Sequence, residues 1–243
     1  VYQNRVIDAL QKHFQVSLKR FYQFYAAPKS GKEDTTRSRS LLFFSHAILL
    51  ASGMNKPVKL YIPENGVISM NIPLTEHRMG SLSTRTTHPY FMGLLQELLN
   101  SLDLKITIVN PYQFKTKGEM MLECKDFDFL KSNYPLTMSC SHPDLGRWKK
   151  ETESSHCGVC LPCTIRRAAI MKAGLKDESF YRDPQYKDIE AETNLRSYKL
   201  GLTQKKTPIW AIQESGPITH HRQDFADLYQ RGLAELKEFI DTL

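Results

Sequence analysis

The chain has 243 residues, with 33 Lys and Arg against 26 Asp and Glu for a formal charge of +7, and is 41% hydrophobic and 24% charged. This excludes global disorder. The length suits one large domain, or one with a smaller appendage, and no window approaches the roughly eighteen apolar residues of a membrane span. The basic balance favours anionic partners, although many proteins that bind none carry as much charge. Five cysteines, four of them between Cys140 and Cys163, are not a disulfide scaffold and point to a reducing cytoplasm. Val1 to Leu10 shows no basic-then-apolar leader, and an opening on Val1 reads as a piece of a longer protein.

Val6, Ala9, Leu10, His13 and Phe14 recur at helical spacing, and Leu18, Phe21 and Tyr22 begin a second helix or a strand. Pro28 to Thr36 is a polar connection. From Arg37 a helix carries Leu41, Phe44, Ile48 and Ala51 on one side and stops at Gly53. Val58 to Ile62 reads as a strand ended by Pro63. A helix from Pro89 to Leu102, with Phe91, Leu94, Leu95 and Leu98 in step, precedes the strand Lys105 to Val109. Strand, helix, strand implies a right-handed crossover and parallel pairing, hence an α/β domain.

The stretch from Pro63 to His88 is long for a structureless connection. It lies at the carboxyl end of a strand, where open α/β sheets place ligands. Thr116 and Glu119, three apart before Met120, Met121 and Leu122, form a capping box. Cys140 to Cys163 is irregular, Thr164 to Ala173 helical up to Gly174, and the more polar remainder closes on an amphipathic helix from Phe225 to Leu243. His46, on an apolar helix, reads as a core residue.

Cys140, Cys157, Cys160 and Cys163 carry the strongest chemical signal. Three thiols spaced three apart pair poorly as disulfides, yet a tight turn opening into a helix aims all three at one centre, with Cys140 as fourth ligand. Closed all-sulfur coordination fits a structural zinc ion; an iron–sulfur cluster uses the same thiolates. Arg166, Arg167, Arg147 and the helix N-terminus offset the negative charge. His156 is a substitute ligand or an outer neighbour, and Cys124 a small buried hydrophobe.

Thr116-Lys117-Gly118-Glu119-Met120, Leu136-Thr137-Met138-Ser139-Cys140 and Cys157-Gly158-x-Cys160-x-x-Cys163-x-x-Arg166 together resemble the C-terminal signature of the 7-cyano-7-deazaguanine synthase family. Arg37-Ser38-Arg39-Ser40-Leu41 before an apolar helix is similar to that family's Arg-Asn helix start, so the resemblance covers about Arg37 to Leu175. It implies a parallel-sheet, Rossmann-like domain of the adenine nucleotide alpha-hydrolase (pyrophosphatase-loop) type. The organisation expected is residues 1–135 as a partial α/β domain, 136–175 as a small four-cysteine zinc subdomain and 176–243 as a helical extension packed on the main domain. The family's Ser-Gly-Gly-x-Asp-Ser loop, whose amides hold pyrophosphate, is absent, all twelve glycines being isolated. That loop and the first strand are expected to precede Val1.

The resemblance implies an enzyme that uses ATP with magnesium to adenylate a 7-carboxy-7-deazaguanine carboxylate for attack by an amine. Lys117 and Arg39 would neutralise phosphate or the acyl-phosphate charge. Glu64 and Asn65, just after a strand, suit the donor and acceptor edge of a guanine-like base, and Arg85 and His88 suit its carboxylate or the phosphate. Taken singly, each also suits an ordinary surface or loop role. Ser40 in place of Asn, Glu64-Asn65-Gly66 and Ser83 to Pro89 depart from the pathway enzymes and look more like divergent homologues of anti-phage operons, where the amine acceptor is a protein. A zinc-stabilised binding module for nucleic acid or a protein partner is the alternative. The cysteine window lacks the aromatic-basic interleaving that stacks bases, so nucleic acid is disfavoured, and no membrane partner is expected. Transfer of sulfur to tRNA, a third reading, needs a free reactive cysteine pair.

Overall fold

The computed structural model of the chain describes residues 2–17, 21–24, 39–71, 74, 86–146, 150–204 and 206–243, with Arg39 through its backbone alone. Helix α1 (Tyr2–Phe14) lies against the middle of the chain, its Phe14 and His13 rings 5.4 and 4.4 Å from Phe129. Of the expected second element, residues 21–24 have no regular structure and 18–20 lie outside the described residues. His46 is only partly buried, its ring stacked on Phe24 with centroids 4.7 Å apart.

Helix α2 (Arg39–Ser52) leads into β1 (Val58–Tyr61), and helix α4 (Pro89–Ser101) into β2 (Ile106–Val109). The strands pair in parallel with Val58 opposite Ile106 and Tyr61 opposite Val109, as the strand–helix–strand order predicts. Among the described residues the sheet has these two strands. Period-two alternation turns Val58, Leu60, Ile106 and Ile108 to one face, where they pack with Ile48 and Ala51 of α2 and Leu99 of α4. The other face presents Lys59, Tyr61 and Thr107 to solvent.

The stretch between β1 and α4 is, as its length implied, not structureless throughout. It contains helix α3 (Gly66–Met70), capped by Asn65, whose side chain accepts from the Ile68 N–H at 3.0 Å. Five residues are too few to show helical periodicity. Helix α5 (Lys117–Leu122) starts on the expected capping box: Thr116 Oγ1 accepts from the Glu119 N–H and Glu119 Oε2 from the Thr116 N–H. Helix α6 (Phe127–Asn133) and a 3-10 turn at Tyr134–Leu136 follow. Cys124 sits past the end of α5, partly buried, its thiol directed at the Asp126 carbonyl.

Helix α7 (Leu161–Lys172) begins three residues before the expected Thr164. Cys160 is its N-cap and Pro162 stands in its first turn, where the missing N–H of proline costs nothing.

The chain beyond residue 175 is more structured than its polarity suggests. Helices α8 (Ile189–Thr203), α9 (Pro208–Glu214) and α10 (Arg222–Ile240) supply much of the core. Two apolar clusters surround α10. One holds Met70, Ala211, Ile212, Ile218, Phe225 and Leu228; the other joins Leu161, Ile165 and Ala168 of α7 to Leu236, Phe239 and Ile240. Helices α8 and α9 complete them with small or amphipathic side chains, Ala191, Tyr198 and Ala211, beside the apolar Leu195, Leu202 and Ile212. Gly201 lets α8 meet the backbone of Leu74, whose carbonyl oxygen would lie 2.4 Å from a Cβ there. Among the described residues no helix is long and apolar enough to cross a membrane.

Candidate functional site

The four cysteines converge. Cys140 is partly buried, Cys157, Cys160 and Cys163 are buried, and their sulfurs all lie within 4.8 Å of one another. None is in a disulfide. A tetrahedral ion with bonds of about 2.3 Å places its sulfurs about 3.8 Å apart, and Cys157 Sγ and Cys163 Sγ are 3.9 Å apart. Backbone N–H groups donate to the sulfurs: Cys157 and His142 to Cys140 Sγ, and Cys160 to Cys157 Sγ, each at 3.3 Å. These donors favour thiolates. The donor set and spacing therefore fit a tetrahedral metal ion held in a closed shell.

The turn is built around Gly158, whose φ of +91° suits glycine. The strand-like bridge between His156 and Tyr181 runs beside it, with Arg182 N–H bonded to the His156 carbonyl and Asp183 N–H to that of Cys157. His156 is buried outside the sulfur shell, its Nε2 3.2 Å from the Thr137 carbonyl and its Nδ1 3.9 Å from Cys163 Sγ. Burial, then Arg166, holds its ring down to about 4.

Arg166 is buried and donates to the Tyr134 carbonyl, Thr137 Oγ1 and Ser179 Oγ at 2.7, 2.6 and 3.0 Å. It thus ties the segment leading to Cys140 onto α7 and adds positive charge beside the thiolates. Arg167 lies over the Phe239 ring at 4.7 Å and donates to the carbonyls of Gly158, in the cysteine turn, and Pro184 at 3.3 and 2.7 Å, and Arg147 lies outside the described residues.

Glu64 follows β1 by three residues, and Lys117 opens α5, eight residues past the end of β2. Lys117, partly buried in the first turn of α5, donates to Ser139 Oγ at 3.2 Å, one residue before Cys140. Burial lowers its pKa from the usual lysine range and Arg166 acts the same way, while Glu64, Cys163 and Glu235 oppose them. Glu64 is an electrostatic neighbour of Lys117; burial raises its carboxyl, against Lys117 and the Asn65 N–H. A small pocket lined by Val67, Thr116, Lys117, Ile165 and Glu235 adjoins an apolar one. The two share Val67, Ile165, Gly232 and Leu236.

The remaining expected residues are placed differently. Asn65 is buried as the α3 cap, with its amide N–H₂ 3.5 Å from Glu64 Oε1. His88 is buried as the α4 cap: its Nδ1 accepts from the Tyr90 N–H and its Nε2 lies 3.1 Å from Ser215 Oγ. Both ring nitrogens are therefore engaged within the protein. Arg85 and the Arg39 side chain lie outside the described residues.

Sequence reasoning missed Glu235, 5% exposed in α10, which accepts from Thr116 Oγ1 at 2.5 Å and from the Gly118 N–H at 3.0 Å. Its only sequence signal was an acid on the otherwise apolar side of an amphipathic helix, next to Leu236.

Residues 86–174 match the family model described as queuosine biosynthesis protein QueC, a little over a third of the chain. The matched stretch holds Lys117 and all four cysteines; Glu64 and the helices from α8 onward lie outside it. This similarity is to an ATP-using, queuosine-pathway synthase family of the carbon–nitrogen ligase type. No curated protein and no solved structure matches the chain.

Proposed function

We propose that the protein serves an ATP-dependent 7-deazaguanine synthase or ligase that activates 7-carboxy-7-deazaguanine by adenylation. The observation that carries this reading is Lys117, bonded to Ser139 beside the four-cysteine cluster and within electrostatic reach of Glu64 just past β1. In the reaction a substrate carboxylate oxygen attacks the α-phosphorus of ATP and pyrophosphate leaves. An amine then attacks the acyl carbon, expels AMP and loses a proton to give an amide. With ammonia, dehydration of the amide yields a nitrile; with a protein amine, the amide is the product.

Lys117 lowers the cost of bringing a carboxylate and phosphate oxygens together by supplying positive charge in a partly dehydrated cleft. Glu64 accepts from the N–H edge of the purine, and Asn65 holds the turn that presents it. Arg39 and Arg85 are assigned to the anionic groups of the substrates, with magnesium accompanying ATP. His88 shapes the cleft through the start of α4. Zinc is assigned to the four cysteines, where a full set of sulfur ligands gives it a bracing role and leaves no open position. The departures at Ser40 and Glu64-Asn65-Gly66 favour the anti-phage branch and a protein amine as acceptor.

Calorimetric titration of the metal-loaded protein with 7-carboxy-7-deazaguanine tests the reading. One-to-one binding is expected, with Lys117→Ala and Glu64→Ala each weakening it about 10- to 100-fold, the value of one hydrogen bond to a charged group. No binding by the wild type, or affinity unchanged in both variants, overturns it.

A further inference from the structure

Helix α10 crosses the first turn of α5 and grips it with two residues one helical turn apart. Glu235 accepts from the Thr116 hydroxyl and the Gly118 N–H. Arg231, four residues earlier on the same face, donates to Glu119 Oε1 at 2.7 Å and to the Phe114 carbonyl at 2.8 Å. Thr116, Gly118 and Glu119 are thus each fastened to α10, and Lys117, between them, is left to extend toward Ser139. Burying a carboxylate is costly, and an apolar residue at position 235 would continue the face of Leu228, Leu236 and Phe239. The carboxylate instead offers acceptors to a hydroxyl and an amide at once. Gly118 makes room for it: a Cβ there would stand 2.6 Å from Glu235 Oε2.

We infer that Glu235 and Arg231 are positioning residues for Lys117, fixing its backbone so that the ammonium group is held beside Glu64 and the cysteine cluster. The inference deepens the substrate reading above and rests on it for the binding readout alone.

The test compares wild type, Glu235→Ala, Glu235→Gln, Gly118→Ala, Lys117→Ala and the Lys117→Ala/Glu235→Ala double variant in the full metal-loaded chain. In Glu235→Ala, amide exchange protection at 116–119 is expected to fall about 10- to 100-fold, the loss of one hydrogen bond to a charged acceptor, while 225–240 stays protected. Labelling of Lys117 by acetic anhydride, relative to exposed Lys59, is expected to change several-fold. Affinity for 7-carboxy-7-deazaguanine should fall, the double variant should bind no more weakly than Lys117→Ala, and Glu235→Gln, which keeps one acceptor, should recover part of the loss. Unchanged labelling of Lys117, or full additivity in the double variant, overturns the inference. Should Glu235→Ala fail to fold, Gly118→Ala displaces the carboxylate with both charges retained and is read by the same exchange and labelling. If the wild type does not bind the compound, the substrate reading fails on its own, and labelling of Lys117 still decides the positioning role.

Discussion

Removing metal from the cysteine cluster is expected to unfold one part of the protein and spare another. The ion would link the loop at Cys140–His142 to the turn at Cys157–Cys160 and the first turn of α7, and residues 182–183 are hydrogen-bonded to that turn. Structural zinc binds with an apparent free energy of about 10–16 kcal/mol, comparable with the whole stability of a domain, about 5–15 kcal/mol. Helix α7 has other anchors, because Ile165, Ala168, Ala169 and Ile170 are buried against neighbouring helices. Each large apolar side chain so buried contributes about 1.5–3 kcal/mol. The loss is therefore local: exchange protection should collapse at 137–160 and 179–183 and persist at 165–172. Even about a third of the binding energy, roughly 4 kcal/mol, lowers Tm by roughly 8–16 °C in a chain of this size. Chelation under reducing conditions, with metal content followed by mass spectrometry, reads both quantities. Cys157→Ser should reproduce the pattern without chelator. A metal-free protein with native melting and unchanged exchange at 137–160 would refute a structural ion.

Gly158→Ala should destabilise the protein by about 1–3 kcal/mol through backbone strain and release metal faster to a competing chelator, because φ is +91° and the added Cβ would lie 2.7 Å from the Asp183 carbonyl. Gly174→Ala, at φ +67° with open space around it, is the control and should cost less. Glu235 gives a pH dependence. Burial raises its pKa above the ordinary 4.5, outweighing the bonds from Thr116 and Gly118. Its protonation therefore favours the folded state, a contribution complete below pH 4.5 and lost as pH rises through the folded value. Glu235→Gln, which cannot titrate, should lose ground to wild type least at higher pH. A wild-type Tm advantage that instead grows between pH 4.5 and neutrality would contradict that sign.

The parallel β1–α4–β2 unit was legible because period-two strands and the Phe91–Leu98 stripe carry strong patterns. The Thr116–Glu119 box and the cysteine cluster were legible because each rests on residue types at fixed spacing. Glu64 and Lys117 were found through resemblance, and their electrostatic coupling needed the fold. Asn65 and His88 were read as substrate contacts, yet both cap helices: side-chain acceptors near a strand end serve a helix start equally well, and sequence does not say which. A helical extension was expected over 176–243, but α8 and α9 were not placed within it because their buried positions include Ala, Gly and Tyr, which leave little apolar stripe. Glu235 was missed because its partners lie more than 110 positions away.

That separation bears on how the molecule comes into being. A ribosome delivers α5 well before α10, so in the nascent polypeptide the turn at Thr116–Glu119 waits for more than a hundred further residues before the helix that fastens it emerges and closes the loop. Assembly of the cleft is thus a late event in biogenesis. A stop codon ahead of Arg231 would leave the thiol centre intact in composition and Lys117 without its brace.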